Sequence, residues 1–318
     1  MKKFALLLAL FTLIVLVGCS KETSTSLSVP HQEAWGIYKL DLTTDETSLI
    51  WSSGEAISFL ALNHAGDKFA FNQKVGGSLD TNEEIFLINT DGTGLTRLTS
   101  NNYRDIYPSF SPDDSKIVFL SWRNLTFDLY TMNSDGSGQA RLYDSGGQDA
   151  DVSWGPSRIA FTRDSQIWTL NPDGSDARQL TDPPNAGEWG IANLPLGDYD
   201  PRFSPDGSKV VFERMVDVNA SVFGSYDIFA INSSGAAETR LTATGYSQGM
   251  PEWSHAGDKI VFLVSAINDA GKYRIYMMNA DGSDNRDITP SYFPDGFLCR
   301  AAVFSKNDSS IYFLGQWY

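Results

Sequence analysis

The chain is poor in the residues that most enzymatic and metal sites are built from. Its 318 residues include three histidines, His31, His64 and His255, and two cysteines, Cys19 and Cys299. Two cysteines so far apart give no metal-binding spacing. If Cys19 is used otherwise, Cys299 has no partner and the fold cannot depend on a disulfide. With three histidines scattered along the sequence, neither a zinc site of His ligands nor a Ser/His/Asp triad is expected. Basic residues are also short, at 24 Lys and Arg against 39 Asp and Glu, a formal charge of −15. A surface of that sign repels phosphate backbones and anionic lipid, so nucleic acid is excluded as a natural partner. No stretch after residue 34 carries an amphipathic helical period, which sets aside α/β folds.

What is present begins with a processing signal. Lys2 and Lys3 precede an apolar run from Phe4 to Val17, about 14 residues and short of the ~20 that span a bilayer as a helix. It ends in Leu16-Val17-Gly18-Cys19, which resembles the bacterial lipobox. That resemblance implies cleavage after a signal peptide at 1–18 and lipidation of Cys19. Cleavage removes two lysines and takes the charge from −15 to −17. Membrane contact is then expected only through the lipid. The host decides the layer: the outer membrane, facing the periplasm, in a Gram-negative cell, as Ser20 suits, or otherwise the outer face of the cytoplasmic membrane. Residues 19–34, polar and rich in Ser and Thr, read as a flexible tether.

From Trp35 onward two patterns alternate. One is apolar-aromatic-x-apolar-Asn-x-Asp-Gly followed by Leu-Thr, as in Ile85 to Gly92 with Leu98-Thr99 and Ile167 to Gly174 with Leu180-Thr181. The other is aromatic-Ser-Pro-Asp-Gly-x-Lys-apolar-apolar-Phe, clearest at Phe203 to Phe212. Each recurs six times, some copies worn. Pro pre-sets the first turn residue, Asn or Ser caps the backbone, and Gly takes positive φ. The flanks alternate with period two and favour Ile, Val, Phe and Tyr. A repeat is therefore two hairpins, and a four-stranded unit of that size must stack on its neighbours.

These paired turns resemble the TolB-type repeat over residues 35–318. The resemblance implies an all-β, six-bladed β-propeller of four-stranded antiparallel blades, in which the Ser-Pro-Asp-Gly hairpin supplies inner strands A and B and the Asn-x-Asp-Gly hairpin supplies C and D. The chain starts with a C/D hairpin at 35–51 and ends with an A/B hairpin at 301–314. The last blade is thus expected to be shared between the termini. The other blades are expected at 57–99, 107–143, 151–181, 201–242 and 251–289. Some members of this family precede a hydrolase domain and others are pectin-fragment lyases with a His-containing metal site; with the last strand at the end of this sequence and each His in a turn or the tether, neither activity is the expectation here.

Two motifs look chemical and are better explained otherwise. Asn279-Ala280-Asp281-Gly282 superficially resembles a calcium loop, yet Gly comes fourth and the twelfth position is Pro290, so hairpin geometry accounts for it. Gly245-Tyr246-Ser247-Gln248-Gly249 has the letters of a nucleophile elbow, but a new strand follows it and not a helix.

The candidate site is the face carrying the D–A and B–C loops, where the long connections fall: 182–200, with Trp189 and Tyr199, then 214–225, 72–83 and 290–300. Aligned on the A-strand aromatic, the blades place Ile57, Asp105, Asp149, Asp198, Gln248 and Cys299 at one position, with Asp151 and Asp200 two residues further on. These carboxylates are candidates to converge at the channel mouth and hold calcium or a basic group. The expected function is a non-catalytic, monomeric cell-envelope lipoprotein binding a protein, peptide or glycan, with no resident cofactor. The rival is an enzyme, a polysaccharide lyase or hydrolase or a peptidase, using those carboxylates. The repeat turns lie on the opposite face and are expected to say little about function.

Overall fold

The computed structural model describes residues 35–76, 82–221, 223–266, 273–294 and 296–317; the leader, Cys19 and the tether lie outside them. Twenty-four strands form six antiparallel four-stranded sheets. Blade 1 is β3 to β6 (residues 57–97) and blade 2 is β7 to β10 (105–143). Blade 3 is β11 to β14 (149–179), blade 4 is β15 to β18 (198–240) and blade 5 is β19 to β22 (246–287). Blade 6 has the order β2-β1-β24-β23, joining 35–53 to 297–317. The shared closure is therefore as the hairpin order requires. Its seam runs from Trp35 opposite Gln316 to Asp41 opposite Ser310 without a slip.

The core lies between blades. The Phe that ends the Ser-Pro-Asp-Gly pattern is fully buried in every blade, at Phe71, Phe119, Phe161, Phe212, Phe262 and Phe313. Six of the seven apolar clusters among the described residues draw on two blades. In one, Ile37, Val303 and Leu314 of blade 6 pack with Ile57, Phe69 and Phe71 of blade 1. Cys299 is a buried small residue in the cluster between blades 5 and 6. A buried aromatic contributes about 2–3 kcal/mol relative to exposure, so stacking dominates the stability of a blade.

The repeat letters have specific tasks. In Asn-x-Asp-Gly the Asp carboxylate accepts from the residue after Gly, as at Asp173 and Ser175 (2.9 Å from the amide, 2.6 Å from the hydroxyl). Asp281 does the same with Ser283, which confirms a hairpin role for that turn. The Thr of Leu-Thr closes strand C: the Thr181 hydroxyl accepts the Ile167 amide at 3.0 Å, and Thr99, Thr242 and Thr289 repeat the bond. Gly174 takes φ +85°, and a Cβ there would sit 2.4 Å from the Leu142 carbonyl oxygen of the preceding blade. The turn thus needs Gly for close approach as well as for φ.

In blades 2 to 6 the A strands begin earlier than the sequence reading placed them. Each A–B pairing slips once, and the slip coincides with a non-glycine residue at φ near +50°: Phe59, Tyr107, Asp151, Asp200, Met250 and Ala301. This is a bulge in every blade. In three blades Pro follows directly (Pro108, Pro201, Pro251), tolerated because strand A is an edge strand.

Candidate functional site

The bulge sorts the aspartates into two sets. Asp105, Asp149 and Asp198, on the outer side of it, are buried at 0%, 1% and 0% exposure and do not meet. Asp105 pairs with Arg123 of its own blade at 2.9 Å and accepts from Ser121 and Asn101. Asp198 is held by both Nε and Nη2 of Arg214, which in turn pairs with Glu238. Neither oxygen of Asp149 has a well-formed hydrogen bond, with the Ser145 hydroxyl its weak partner. Burial pushes the Asp149 carboxyl up to about 7. These three therefore anchor strand ends inside their blades and do not line a common mouth. The expected convergence fails because Asp105 and Asp198 are taken up by arginines of their own blades and Asp149 is buried apart from them.

Asp151 and Asp200 do converge. They are bulge residues, and the bulge residues of blades 1 to 4 form a chain: Phe59 meets the Tyr107 ring, the Tyr107 side chain interacts with Asp151, and the Asp200 amide donates to Asp151 at 3.3 Å. Glu213 and Glu252 join them, and a single guanidinium, Arg202, lies against Asp200 (3.6 Å) and Glu252 (3.2 Å). Glu213 reaches across to blade 5, where it accepts the Met250 amide at 2.8 Å over Gly249. A Cβ at Gly249 would stand 2.2 Å from that carboxylate. Burial, then mutual repulsion, raises the carboxyls of Asp200 and Glu213; burial also raises Asp151 and Glu252. The centre of the ring is thus a cluster of buried acids whose carboxyls are all raised. Among the described residues no group of three His, Cys, Asp or Glu is arranged to hold a metal ion.

Tyr199 is buried, its hydroxyl 2.7 Å from the Pro195 carbonyl and 3.1 Å from Ser165, and it props the long loop instead of facing a ligand. Trp189 lies at the crest of that loop, 65% exposed. It has company that sequence reasoning missed. Ile191, Leu194, Val216 and Phe223 are exposed beside it, on two loops tied by the Ala192 amide to the Val218 carbonyl at 3.0 Å. Ser247 of the elbow-like pentapeptide lies in β19, its hydroxyl accepting the Tyr226 amide.

The opposite face is not featureless either. Among the Ser-Pro-Asp-Gly turns the channel opens as a cavity of about 360 Å³. Phe110, Trp154, Phe203 and Trp253 form its walls, and Arg202 and Glu252 lie at its floor.

An all-β ring of six four-stranded blades, with a charged channel and an apolar loop crest, defines a six-bladed β-propeller. Over 56% of its length the chain is 28% identical to an uncharacterized protein of Agrobacterium fabrum, covering 61% of that protein. Over 50% of its length it is 30% identical to a TolB homolog of Chlorobium luteolum, covering 33% of it. The chain thus spans between a third and two thirds of these relatives. A structure from Agrobacterium tumefaciens, solved as a candidate TolB, superposes with a TM-score of 0.66 at 16% identity, over 89% of this chain and 98% of that one. No family model matches the sequence. The chain is a distant relative of the TolB-family propellers.

Proposed function

We propose that the protein is a non-catalytic cell-envelope lipoprotein, anchored through Cys19, whose long-loop face binds a protein or peptide partner. The observation that carries this reading is the crest of blade 4, where Trp189, Ile191, Leu194, Val216 and Phe223 expose 40–65% of their surface on two joined loops. Among the described residues, nine large apolar side chains are this exposed, and eight lie on the D–A and B–C loop face or at its edge. Scattered exposed apolar residues are ordinary; a cluster on one face marks an interaction surface. The aromatic members suit a hot spot, since a ring buries much area at little entropic cost. The TolB homologs among its relatives support a binding role over catalysis. In this reading the acid cluster serves the scaffold, holding blades 2 to 5 together at the axis.

Retention of envelope proteins on the immobilised propeller tests the crest. Trp189→Ser with Phe223→Ser is expected to reduce capture of the specific partner at least about tenfold while leaving the melting transition in place. Unchanged capture would place the surface elsewhere. Cys19→Ala is expected to release the protein from the membrane fraction, and continued membrane association would refute the anchor.

A further inference from the structure

We infer that the cavity on the repeat-turn face is a second binding site, for an organic anion with a flat apolar body. The inference is independent of the long-loop face. It starts from the position that holds Pro in the Ser-Pro-Asp-Gly turn. Around the ring from blade 1 this position reads His64, Pro112, Pro156, Pro205, His255 and Lys306, and all six line the cavity. The rim is therefore two-sided. Blades 2, 3 and 4 present prolines backed by Phe110, Trp154 and Phe203, while blades 5, 6 and 1 present two imidazoles and an ammonium group side by side.

The charge of that arc runs against the rest of the molecule. In a chain of formal charge −15, the basic side chains lining this cavity are Arg202, Lys306, His64 and His255 against one carboxylate, Glu252, with Tyr107 the other titratable group. Glu252 is already committed to Arg202 at 3.2 Å and to the Trp253 amide at 3.1 Å. Lys306 has no ion pair among the described residues. Burial holds His255 below the usual imidazole value, with Asp308 opposing that shift and Lys306 and His64 adding to it. Each imidazole is oriented by a carboxylate of the next blade, His64 Nδ1 on Asp114 at 3.2 Å and His255 Nδ1 on Asp308 at 3.3 Å. That leaves the Nε2 atoms without a hydrogen-bond partner among the described residues. A ring held at Nδ1 by a carboxylate offers a donor at Nε2 once protonated, so the arc gains affinity for an anion as pH falls. The groups facing these rings are Asp114, Asp308, Lys306 and Glu252, the last two within electrostatic reach of His255 and His64 respectively.

The volume is in the range of small-molecule sites, and aromatic walls with a few polar groups at one side are the usual build of such sites. A flat ring fits against Trp154 and Phe203, with its carboxylate directed to the Lys306 arc. Calorimetry on the full chain with 2-naphthoate as the probe, and 2-naphthylmethylammonium as its cationic counterpart, tests this. Naphthoate is expected to bind at least about tenfold tighter than the ammonium compound at pH 6. Lys306→Glu, at an exposed position that leaves the fold intact, is expected to cost at least about tenfold, and Lys306→Arg to retain binding. Trp154→Ala is expected to weaken both probes. Three results overturn the assignment: no binding heat at millimolar naphthoate, tighter binding of the ammonium probe, or binding unchanged in Lys306→Glu.

Discussion

The main-chain amide of His64 and the carboxylate of Asp114, one blade apart, are joined at 2.8 Å, and the Ala65 amide meets the other carboxylate oxygen at the same distance. His255 and Ala256 bind Asp308 in the same way, at 2.8 and 2.9 Å. These are the two turns in which Pro-Asp has become His-Ala, and the two following turns in which Gly has become Asp. Replacing Pro exposes an N–H that Pro lacks, and the neighbouring Asp, at φ +57° or +56°, takes it up. The ring carries two such clasps, one between blades 1 and 2 and one between blades 5 and 6.

The clasp can be measured. Asp114→Gly removes two charge-assisted hydrogen bonds and relieves a left-handed backbone, which favour opposite outcomes. The expected net loss is about 1–2 kcal/mol in urea unfolding. Restoring the plain repeat with His64→Pro, Ala65→Asp and Asp114→Gly together is expected to recover most of it. A triple variant as unstable as the single one contradicts the pairing.

Asp149 gives a pH signature of definite sign. Its carboxyl is raised to about 7, so between its unfolded value near 3.8 and that point the folded chain holds the proton more firmly. Its contribution to stability is thus present at low pH and lost as pH rises through the folded value. Asp149→Asn is expected to be more stable than the parent by about 1–3 kcal/mol at pH 8, the gain shrinking toward pH 4. A difference that does not change with pH would mean that Asp149 is not a buried, poorly bonded acid.

Closure is noncovalent and passes through one seam, Trp35 to Asp41 against Ser310 to Gln316. Deleting residues 301–318 uncovers Tyr38 and Leu40 on one side and Phe69 and Phe71 on the other, all buried in the closed ring. The truncated chain is expected to lose cooperative melting; a parent-like transition would show that the ring does not depend on this blade.

Much of this was legible as sequence. Six copies of two turns define blade number, and their order defines the shared blade. The side of the ring to which each aspartate points was not legible, because a one-residue bulge leaves little trace in the letters. A trace does exist at Tyr107-Pro108, Asp200-Pro201 and Met250-Pro251, where a strand-breaking residue sits inside a strand. Arg123 and Arg214, which neutralise Asp105 and Asp198, are 18 and 16 residues away from them with no pattern to link them. The clasps were visible as paired departures from the repeat, His-Ala in one turn and Asp for Gly in the next. Loop residues such as Trp189 and Phe223 carry no sequence mark that separates an exposed ring from a buried one.

The central claim is that the blade 4 crest is the partner surface, and site-specific photocrosslinking in the native cell tests it most directly. A benzophenone side chain at Trp189 or Phe223 is expected to give a discrete protein adduct, lost when Ile191 and Val216 are both changed to Ser. The same group at Leu95, an exposed apolar residue on an outer turn, is expected to give none. Adducts at Leu95 with none at Trp189 or Phe223 would contradict the account.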